Sequence, residues 1–223
     1  MRGVSVIIPA LEAARCLPMC LEVLSGADAV IVVDGGSRDE TVALARGHGA
    51  RVVLSARGRG QQLRAGAAEA LTEWLLFLHA DTVLQPSWRA EVEAFASDPR
   101  NVKRAAFFTF AVDDLSAQAR RLESMVRWRG RVLGLPYGDQ GLLISRAFYD
   151  ELGGYAAIPI MEDVDLVRRI GRARLAVLPS LAVTCAERWR RDGWTLRSAR
   201  NLGCLGLYYA GFSPRVIERL YRR

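Results

Sequence analysis

Along the first hundred positions, short continuous runs of apolar residues alternate with segments in which apolar residues recur every three or four positions. The continuous runs are rich in β-branched residues, which is typical of strands buried on both faces of a sheet. They predict strands at residues 4–10, 29–36, 50–56 and 74–81. The segments with helical spacing predict helices at residues 11–24, 38–49 and 60–72. This alternation indicates an α/β fold with a mostly parallel central sheet flanked by helices.

Polar residues follow the ends of the predicted strands. Asp34 closes the second strand and is followed by Gly36, and the fourth strand ends in His79-Ala80-Asp81. In open parallel sheets, ligands bind at the carboxyl ends of the strands. Side chains two positions apart in an extended segment point the same way, so we expect His79 and Asp81 to project together at this edge.

Arginines separated by glycines follow the third predicted strand, at Arg57, Arg59 and Arg64. Acids and arginines at one edge predict a nucleotide whose phosphates are bound jointly by a cation and by the protein. The chain contains neither a GxxxxGKS or GxxxxGKT motif nor GxGxxG. Their absence disfavours a P-loop ATPase and a dinucleotide-binding enzyme.

Composition and charge narrow the class of protein further. The 223 residues, 51% hydrophobic and 25% charged, suit one large α/β domain, or two small ones, with a sizeable core. The formal net charge of +7 comes almost wholly from arginine, since Lys103 is the only lysine. Such a charge favours anionic partners, such as phosphorylated small molecules, nucleic acid or anionic lipid.

Neither the apolar stretches nor the cysteines indicate a membrane-spanning or disulfide-bonded protein. No apolar stretch has the length of a secretory leader or a membrane-spanning helix. The four cysteines include no CxxC pair, so we expect reduced, packed thiols in a cytoplasmic protein.

Four sequence blocks, taken together and in this order, resemble the GT-A glycosyltransferases of family 2. The blocks are VSVIIPALEAA, VIVVDGGSRDET, LLFLHADT and GGYAAIPIMEDVDL, spread over roughly residues 4–172. The versions VDGGS, FLHADT and IMEDVDL look like a small bacterial branch called the selenodomain-associated transferase type. The resemblance implies a single GT-A domain over residues 1–223. Its nucleotide-sugar-binding half would span about 1–100, and its acceptor half, with C-terminal helices, about 101–223.

The resemblance also implies roles for individual residues. Asp34 corresponds to the acid that binds the uracil or ribose of a nucleoside diphosphate sugar. Asp81 corresponds to the last acid of the DxD motif, which ligates a Mg²⁺ or Mn²⁺ ion that bridges the diphosphate. Asp163 corresponds to the catalytic base, and Glu162 beside it is a second catalytic candidate. The further donor-binding candidates at the same edge are Pro9, Leu11, Gly36, Arg57, Arg64 and His79.

The sequence departs from the family pattern at three positions. The usual Asn-Glu after the first strand is Glu12-Ala13, the second acid of the common DD pair is Gly35, and the first acid of DxD is His79. The QxxRW motif of processive members is absent, so we do not expect polymerisation of a long glycan.

The chemistry of sugar transfer suits these residues. A divalent cation near Asp81 would stabilise the charge of the leaving diphosphate, and His79 would either hydrogen-bond the ribose or join the metal. A carboxylate near the anomeric carbon can act as general base. Asp163 and the metal on opposite sides of that carbon would give inversion. On the acceptor side, we expect Tyr155 to stack on a sugar and Gln140 to hydrogen-bond the donor or acceptor.

The C-terminal segment mixes arginines with Leu, Tyr and Phe and allows two interpretations. It either packs on the core or lies on an anionic membrane surface, and a lipid-linked acceptor would fit the second.

Other interpretations stay open at the level of the sequence. Asp34-Gly35 can simply form a turn, and residues 57–60 can form a solvated loop. His79 can be a packed residue at the end of a strand, and Glu162-Asp163 can only stabilise the start of a helix. One rival function is a sugar nucleotidyltransferase, although no glycine-rich loop follows the first strand. Another is a non-catalytic basic module that binds nucleic acid or anionic lipid. The favoured prediction is an inverting, metal-dependent glycosyltransferase with a UDP-linked donor, an unknown hydroxyl acceptor and no nucleic-acid partner.

Overall fold

An open eight-stranded sheet forms the centre of the protein, seen here in a computed structural model that describes residues 3–221. The strands are β1 Val4–Ala10, β2 Ala29–Asp34, β3 Arg51–Leu54, β4 Trp74–Phe77, β5 Thr82–Leu84, β6 Ala105–Val112, β7 Leu142–Ser145 and β8 Leu175–Thr184. Their order across the sheet is β3-β2-β1-β4-β7-β6-β8-β5. The four strands predicted from the sequence are β1 to β4, and they pair in parallel.

The second half of the sheet is mixed. Strand β7 runs antiparallel to both β4 and β6, and β5 runs antiparallel to β8, whereas β6 and β8 are parallel. The predicted α/β sheet with flanking helices is therefore confirmed, with its parallel part concentrated in the first hundred residues. The ends of the predicted 1–223 domain, residues 1–2 and 222–223, lie outside the described residues.

Ten α-helices connect and cover the strands within residues 3–221. They are α1 Leu17–Glu22, α2 Thr41–Gly47, α3 Arg59–Glu69, α4 Trp88–Ser97, α5 Ala117–Trp128, α6 Arg146–Glu151, α7 Glu162–Ile170, α8 Glu187–Asp192, α9 Trp194–Tyr209 and α10 Pro214–Tyr221. None of them is both long and apolar enough to cross a membrane.

The first predicted helix, residues 11–24, was too long. The backbone N–H groups of Glu12, Ala13 and Ala14 donate to side-chain oxygens of Ser37, Thr41 and Asp39. Those bonds fasten the segment after β1 to the segment after β2 and satisfy donors that a helix would have used internally. Helix α1 therefore starts only at Leu17, next to a proline in its first turn.

The core lies on both faces of the sheet. Val6, Ile8 and Leu76 are fully buried against α1, α4 and their neighbours, while Ile7 and Leu75 face α3 and α7 on the other side. Helix α3 approaches the sheet closely because Gly66 has no side chain. A Cβ atom there would overlap the methyl groups of Ile7 and Val33. This close approach brings the start of α3, at Arg59, to the carboxyl edge of the sheet.

Candidate active site

Two adjoining cavities open at the carboxyl edge of β1 and β4. The larger, of about 670 Å³, has one wall formed by residues 9–13 after β1 and another formed by Arg57. The smaller, of about 120 Å³, is lined by the loop at residues 137–139 and by α7 and α9. The two cavities meet, because seven residues line both: Arg59, His79, Asp81, Ile160, Cys185, Arg188 and Tyr221.

His79 and Asp81 lie at this junction, but in a turn rather than at the end of an extended strand. Strand β4 ends at Phe77, and the N–H of Thr82 donates to the carbonyl of His79 at 3.2 Å. The N–H of Cys185, just after β8, donates to the carbonyl of Asp81 at 3.1 Å and fixes the turn from the other side. The expectation that strand geometry aligns the two side chains was therefore wrong, although both reach the cavities.

The surroundings of His79 favour the neutral imidazole at pH 7. Burial first, and then the nearby Arg59 guanidinium, lower its pKa to about 4, against the opposing effect of Asp81 and Asp163. Gly138 packs directly on the ring. A Cβ atom at Gly138 would overlap Nε2 and come within 3.0 Å of Cε1 of His79. The position of the imidazole therefore depends on the absence of a side chain at residue 138.

Asp163 lies in the first turn of α7 and faces the small cavity. Its Oδ2 accepts a hydrogen bond from the N–H of Gly138 at 2.9 Å, and its Oδ1 accepts one from the N–H of Val164 at 2.8 Å. Gly138 thus lies beside the His79 ring and donates a hydrogen bond to Asp163 through its N–H. The aspartate and the histidine, 84 positions apart in the chain, are connected through one glycine.

Glu162 does not line either cavity. Its side chain is 1% exposed and pairs with Arg59 at the start of α3. Burial raises the pKa of Glu162, and Arg59 opposes that rise. Its prediction as a second catalytic residue is corrected: it is the buried counter-ion that holds Arg59 at the junction of the cavities.

Two non-glycine residues among those described have positive φ, and both line the cavities. Glu12 has φ 50° beside the large cavity, and Met161 has φ 66° beside the small one, directly before α7. Left-handed backbone at such residues costs free energy and concentrates at functional sites. Met161 sets the direction from which α7 presents Asp163.

Only some of the predicted donor-binding residues line the large cavity. Pro9, Leu11 and Arg57 line the large cavity, together with His79 and Asp81. Arg64 is exposed on α3 and lines neither cavity, because one and a half turns of helix separate it from Arg59.

Asp34 and Gly36 line neither of the two cavities, and their contact with the donor stays a prediction. Asp34 is 2% exposed, and its carboxylate accepts hydrogen bonds from the N–H groups of Gly36 and Ser37 and from the Ser37 hydroxyl. Ser37 in turn accepts from the N–H of Glu12, which lines the large cavity. Asp34 therefore shapes the loop that supports the cavity wall.

The two predicted acceptor residues are corrected as well. Tyr155 is 2% exposed and packs edge-on against Phe77, with ring centroids 4.8 Å apart. Gln140 is 1% exposed, and its amide donates to the carbonyl of Phe108 at 3.2 Å. Both side chains face the core because the loops that carry them fold back over the sheet.

Three further residues at the cavities were not predicted from the sequence as functional candidates. Asp139 lines the small cavity, and burial raises its pKa to about 6. Arg188 lines both cavities and has no ion pair within residues 3–221. Gly138 connects Asp163 to His79. The PYGDQG segment, residues 136–141, is expected from the sequence to face the pocket through Gln140, but only the tertiary contacts single out Gly138 and Asp139.

The side chains present suit a cation held jointly with a ligand. Within residues 3–221, no group of three or more His, Cys, Asp or Glu side chains is arranged to hold a metal ion. The carboxylate of Asp81 accepts no hydrogen bond from the described residues and opens onto both cavities. One free carboxylate beside a neutral imidazole fits a Mg²⁺ or Mn²⁺ ion whose remaining positions are filled by phosphate oxygens and water.

This sheet, with acids at its carboxyl edge, defines a GT-A fold. The chain matches the crystal structure of glucosyl-3-phosphoglycerate synthase from Mycobacterium tuberculosis in complex with Mn²⁺, UDP and glucosyl-3-phosphoglycerate. The TM-score is 0.57 at 22% identity, over 82% of this chain and 70% of that one. A structure of the same enzyme with Mg²⁺ and UDP matches with a TM-score of 0.56. At this level of identity the likeness establishes the fold.

The chain belongs to glycosyl transferase family 2, whose sequence model matches residues 5–143. An uncharacterized glycosyltransferase of Mycobacterium tuberculosis is 35% identical over 80 residues, which are 35% of this chain and 37% of that protein. A PGL/p-HBAD biosynthesis glycosyltransferase of Mycobacterium bovis is 35% identical over 106 residues, 42% of this chain and 41% of that protein. The chain thus aligns with about two fifths of the length of these relatives. The predicted family is confirmed.

Proposed function

We propose that this protein transfers a sugar from a nucleoside diphosphate sugar, with UDP as the nucleotide, to a hydroxyl group of an acceptor, with inversion at the anomeric carbon. One observation carries the proposal. Asp81 and Asp163 line the same small cavity, and the contact between Gly138 and His79 connects them. A cation ligand and a candidate base thus face the same small cavity, with Asp81 at its junction with the large one.

The donor would occupy the large cavity, whose walls come mainly from the first hundred residues. Its size falls in the range of small-molecule and cofactor sites. Arg57 and Arg188 line it without ion pairs inside the described part of the chain, so both guanidinium groups are available to a diphosphate. The neutral imidazole of His79 would hydrogen-bond the ribose or the phosphate edge.

Asp81, with His79 beside it, would hold the Mg²⁺ or Mn²⁺ ion. The ion would supply positive charge to the leaving diphosphate. The solved neighbours contain UDP together with Mn²⁺ or with Mg²⁺, which supports the choice of nucleotide and of metal.

Asp163 would act as the general base. The N–H groups of Gly138 and Val164 each donate to one of its oxygens, which fixes the plane of the carboxylate and leaves further lone pairs toward the cavity. An acceptor hydroxyl in the small cavity would give its proton to Asp163 as its oxygen attacks the anomeric carbon. Attack from this side, opposite the diphosphate in the large cavity, is the geometry of inversion.

We further propose that the C-terminal helices contact an anionic membrane from the cytoplasmic side and that the acceptor can be lipid-linked. The outer face of α9 exposes Leu196, Leu202 and Tyr209, at 62, 68 and 48%, and continues into Phe212. Helix α10 exposes Arg215 and Arg219, whose positive charge suits an anionic surface. Sedimentation with phosphatidylglycerol vesicles should exceed that with phosphatidylcholine vesicles, and Leu202→Asp should reduce it. Equal sedimentation for both vesicle types would remove this part of the proposal.

The decisive experiment is calorimetric titration with UDP, with and without Mn²⁺. Wild-type protein should bind UDP in the presence of the ion, and Asp81→Ala should lose that dependence. Asp163→Asn keeps the size of the side chain but cannot accept the proton, so we expect UDP affinity to persist while transfer falls by about 10²–10⁴-fold. Wild-type UDP affinity that stays the same when Mn²⁺ is replaced by a chelator would contradict the metal site. Normal turnover by Asp163→Asn would contradict the base.

A further inference from the structure

The small cavity has little positive charge left for an acceptor. Three carboxylates line it, those of Asp81, Asp139 and Asp163. Of its arginines, Arg59 is paired with Glu162 and Arg197 with Asp192, the latter at 2.7 Å. Arg188 is the one lining arginine without an ion pair among residues 3–221, and it also faces the large cavity. A divalent ion at Asp81 together with Arg188 would only balance the three lining carboxylates, so the lining side chains offer no excess positive charge to an anionic acceptor.

Helix α9 lines this cavity with two residues that each carry a polar atom without a hydrogen-bond partner. The Nε of Arg197 and the Oδ1 of Asn201 are buried and have no hydrogen-bond partner in the described structure. The two residues are four positions apart, so they lie on the same face of the helix. The Oδ1 of Asp139, in the loop before β7, is likewise buried and unpartnered. Buried polar atoms normally have partners, and three such atoms around one cavity indicate a ligand that supplies them.

The polarity of these atoms restricts the ligand. Arg197 Nε offers a hydrogen, whereas Asn201 Oδ1 and Asp139 Oδ1 each need one. A phosphate or carboxylate group only accepts hydrogen bonds and would leave both oxygens unsatisfied. An alcohol hydroxyl both donates and accepts. The cavity also has apolar wall from Ile160 and buried Trp189, which suits the C–H groups of a polyol.

We infer that the acceptor is an uncharged molecule with several hydroxyl groups, a sugar or polyol, bound against the α9 face by Arg197 and Asn201. The inference rests on the proposed function, since it takes Asp163 in the same cavity as the base. It goes beyond that function by naming the acceptor class, uncharged polyols in preference to phosphorylated or carboxylated molecules.

Saturation-transfer NMR on the full chain with UDP and Mn²⁺ bound tests the inference without knowledge of the donor sugar. The neutral probes are glycerol, glucose, methyl glucoside and octyl glucoside. The charged probes are glycerol 3-phosphate and phosphoglyceric acid, which the solved neighbours bind. We expect at least one neutral probe to bind more tightly than its charged counterpart. A preference for octyl over methyl glucoside assigns the polyol to a lipid headgroup, and equal binding assigns it to a free molecule.

Asn201→Leu is the matched variant, and Ser198→Ala on the same helix, outside both cavities, is its control. Loss of one neutral hydrogen bond should weaken the neutral probe by roughly threefold to tenfold in Asn201→Leu. Ser198→Ala should bind it as wild type does, and UDP affinity should be unchanged in both variants. Tighter binding of the charged probes, binding of no neutral probe, or an unaffected Asn201→Leu would overturn the inference while leaving the proposed function intact. Failure of UDP to bind with Mn²⁺ would instead contradict the proposed function.

Discussion

Gly138→Ala tests the connection between His79 and Asp163. The new Cβ would lie 3.0 Å from Cε1 of His79 and overlap Nε2. Carbon atoms pack best at about 3.5–4.0 Å, so one of the two groups must move by about 0.5–1 Å. The φ angle at Gly138 is not in the left-handed region, so the backbone itself accepts alanine.

Either way of relieving the overlap damages the proposed site. If the imidazole moves, His79 leaves its position beside Asp81, and UDP affinity should fall. If residue 138 moves instead, the 2.9 Å hydrogen bond from its N–H to Asp163 lengthens. A misplacement of this size can cost about 10²-fold in turnover, while overpacking costs about 1–3 kcal/mol in stability.

The assay combines turnover of a nucleotide sugar, UDP affinity in Mn²⁺ and the melting temperature. Gly47→Ala in α2 is the matched control, because a Cβ atom there meets nothing within 4 Å. We expect Gly47→Ala to behave as wild type, and Gly138→Ala to fold but turn over about 10²-fold more slowly. A Gly138→Ala variant with wild-type turnover and UDP affinity would show that this connection does not matter for activity.

Three further predictions follow from single residues. Arg188→Met should weaken UDP binding by about tenfold or more, as expected for loss of a charge-assisted hydrogen bond; unchanged calorimetric affinity would contradict its contact with phosphate. Burial raises the pKa of Asp139 to about 6, so the folded protein holds a proton that the unfolded chain has lost. Unfolding free energy should therefore fall as pH rises from about 4 to 6, by at most about 1.4 kcal/mol per pH unit. Asp139→Asn should flatten that slope in pH-dependent denaturant titrations, and an identical slope would argue against the shift. Asp34→Ala should lower stability by several kcal/mol through the unsatisfied N–H groups of Gly36 and Ser37; an unchanged melting temperature would contradict its role in shaping the loop.

The sequence by itself determined the parallel half of the sheet and the edge at which the site lies. Strands β1 to β4 carry continuous apolar runs because they are buried on both faces, and such runs are a local signal. Chain direction then places the residues after each parallel strand at one edge, which is why Asp81 could be assigned to the site without coordinates. Asp163 could also be placed, since acids at the start of an amphipathic segment mark the first turn of a helix.

Only the tertiary structure decided which side chains face the cavities and which face the core. Tyr155 and Gln140 stand in glycine-rich loops where no periodic pattern shows direction, and contacts with Phe77 and Phe108 turn both inward. Arg188 reaches the junction from a helix more than a hundred positions beyond His79. Gly138 connects His79 and Asp163 because it lies so close to the imidazole that a Cβ atom would overlap it, and no local sequence pattern predicts that proximity. Contacts between distant segments are set by the packing of the whole sheet, so they become visible only when the chain is folded.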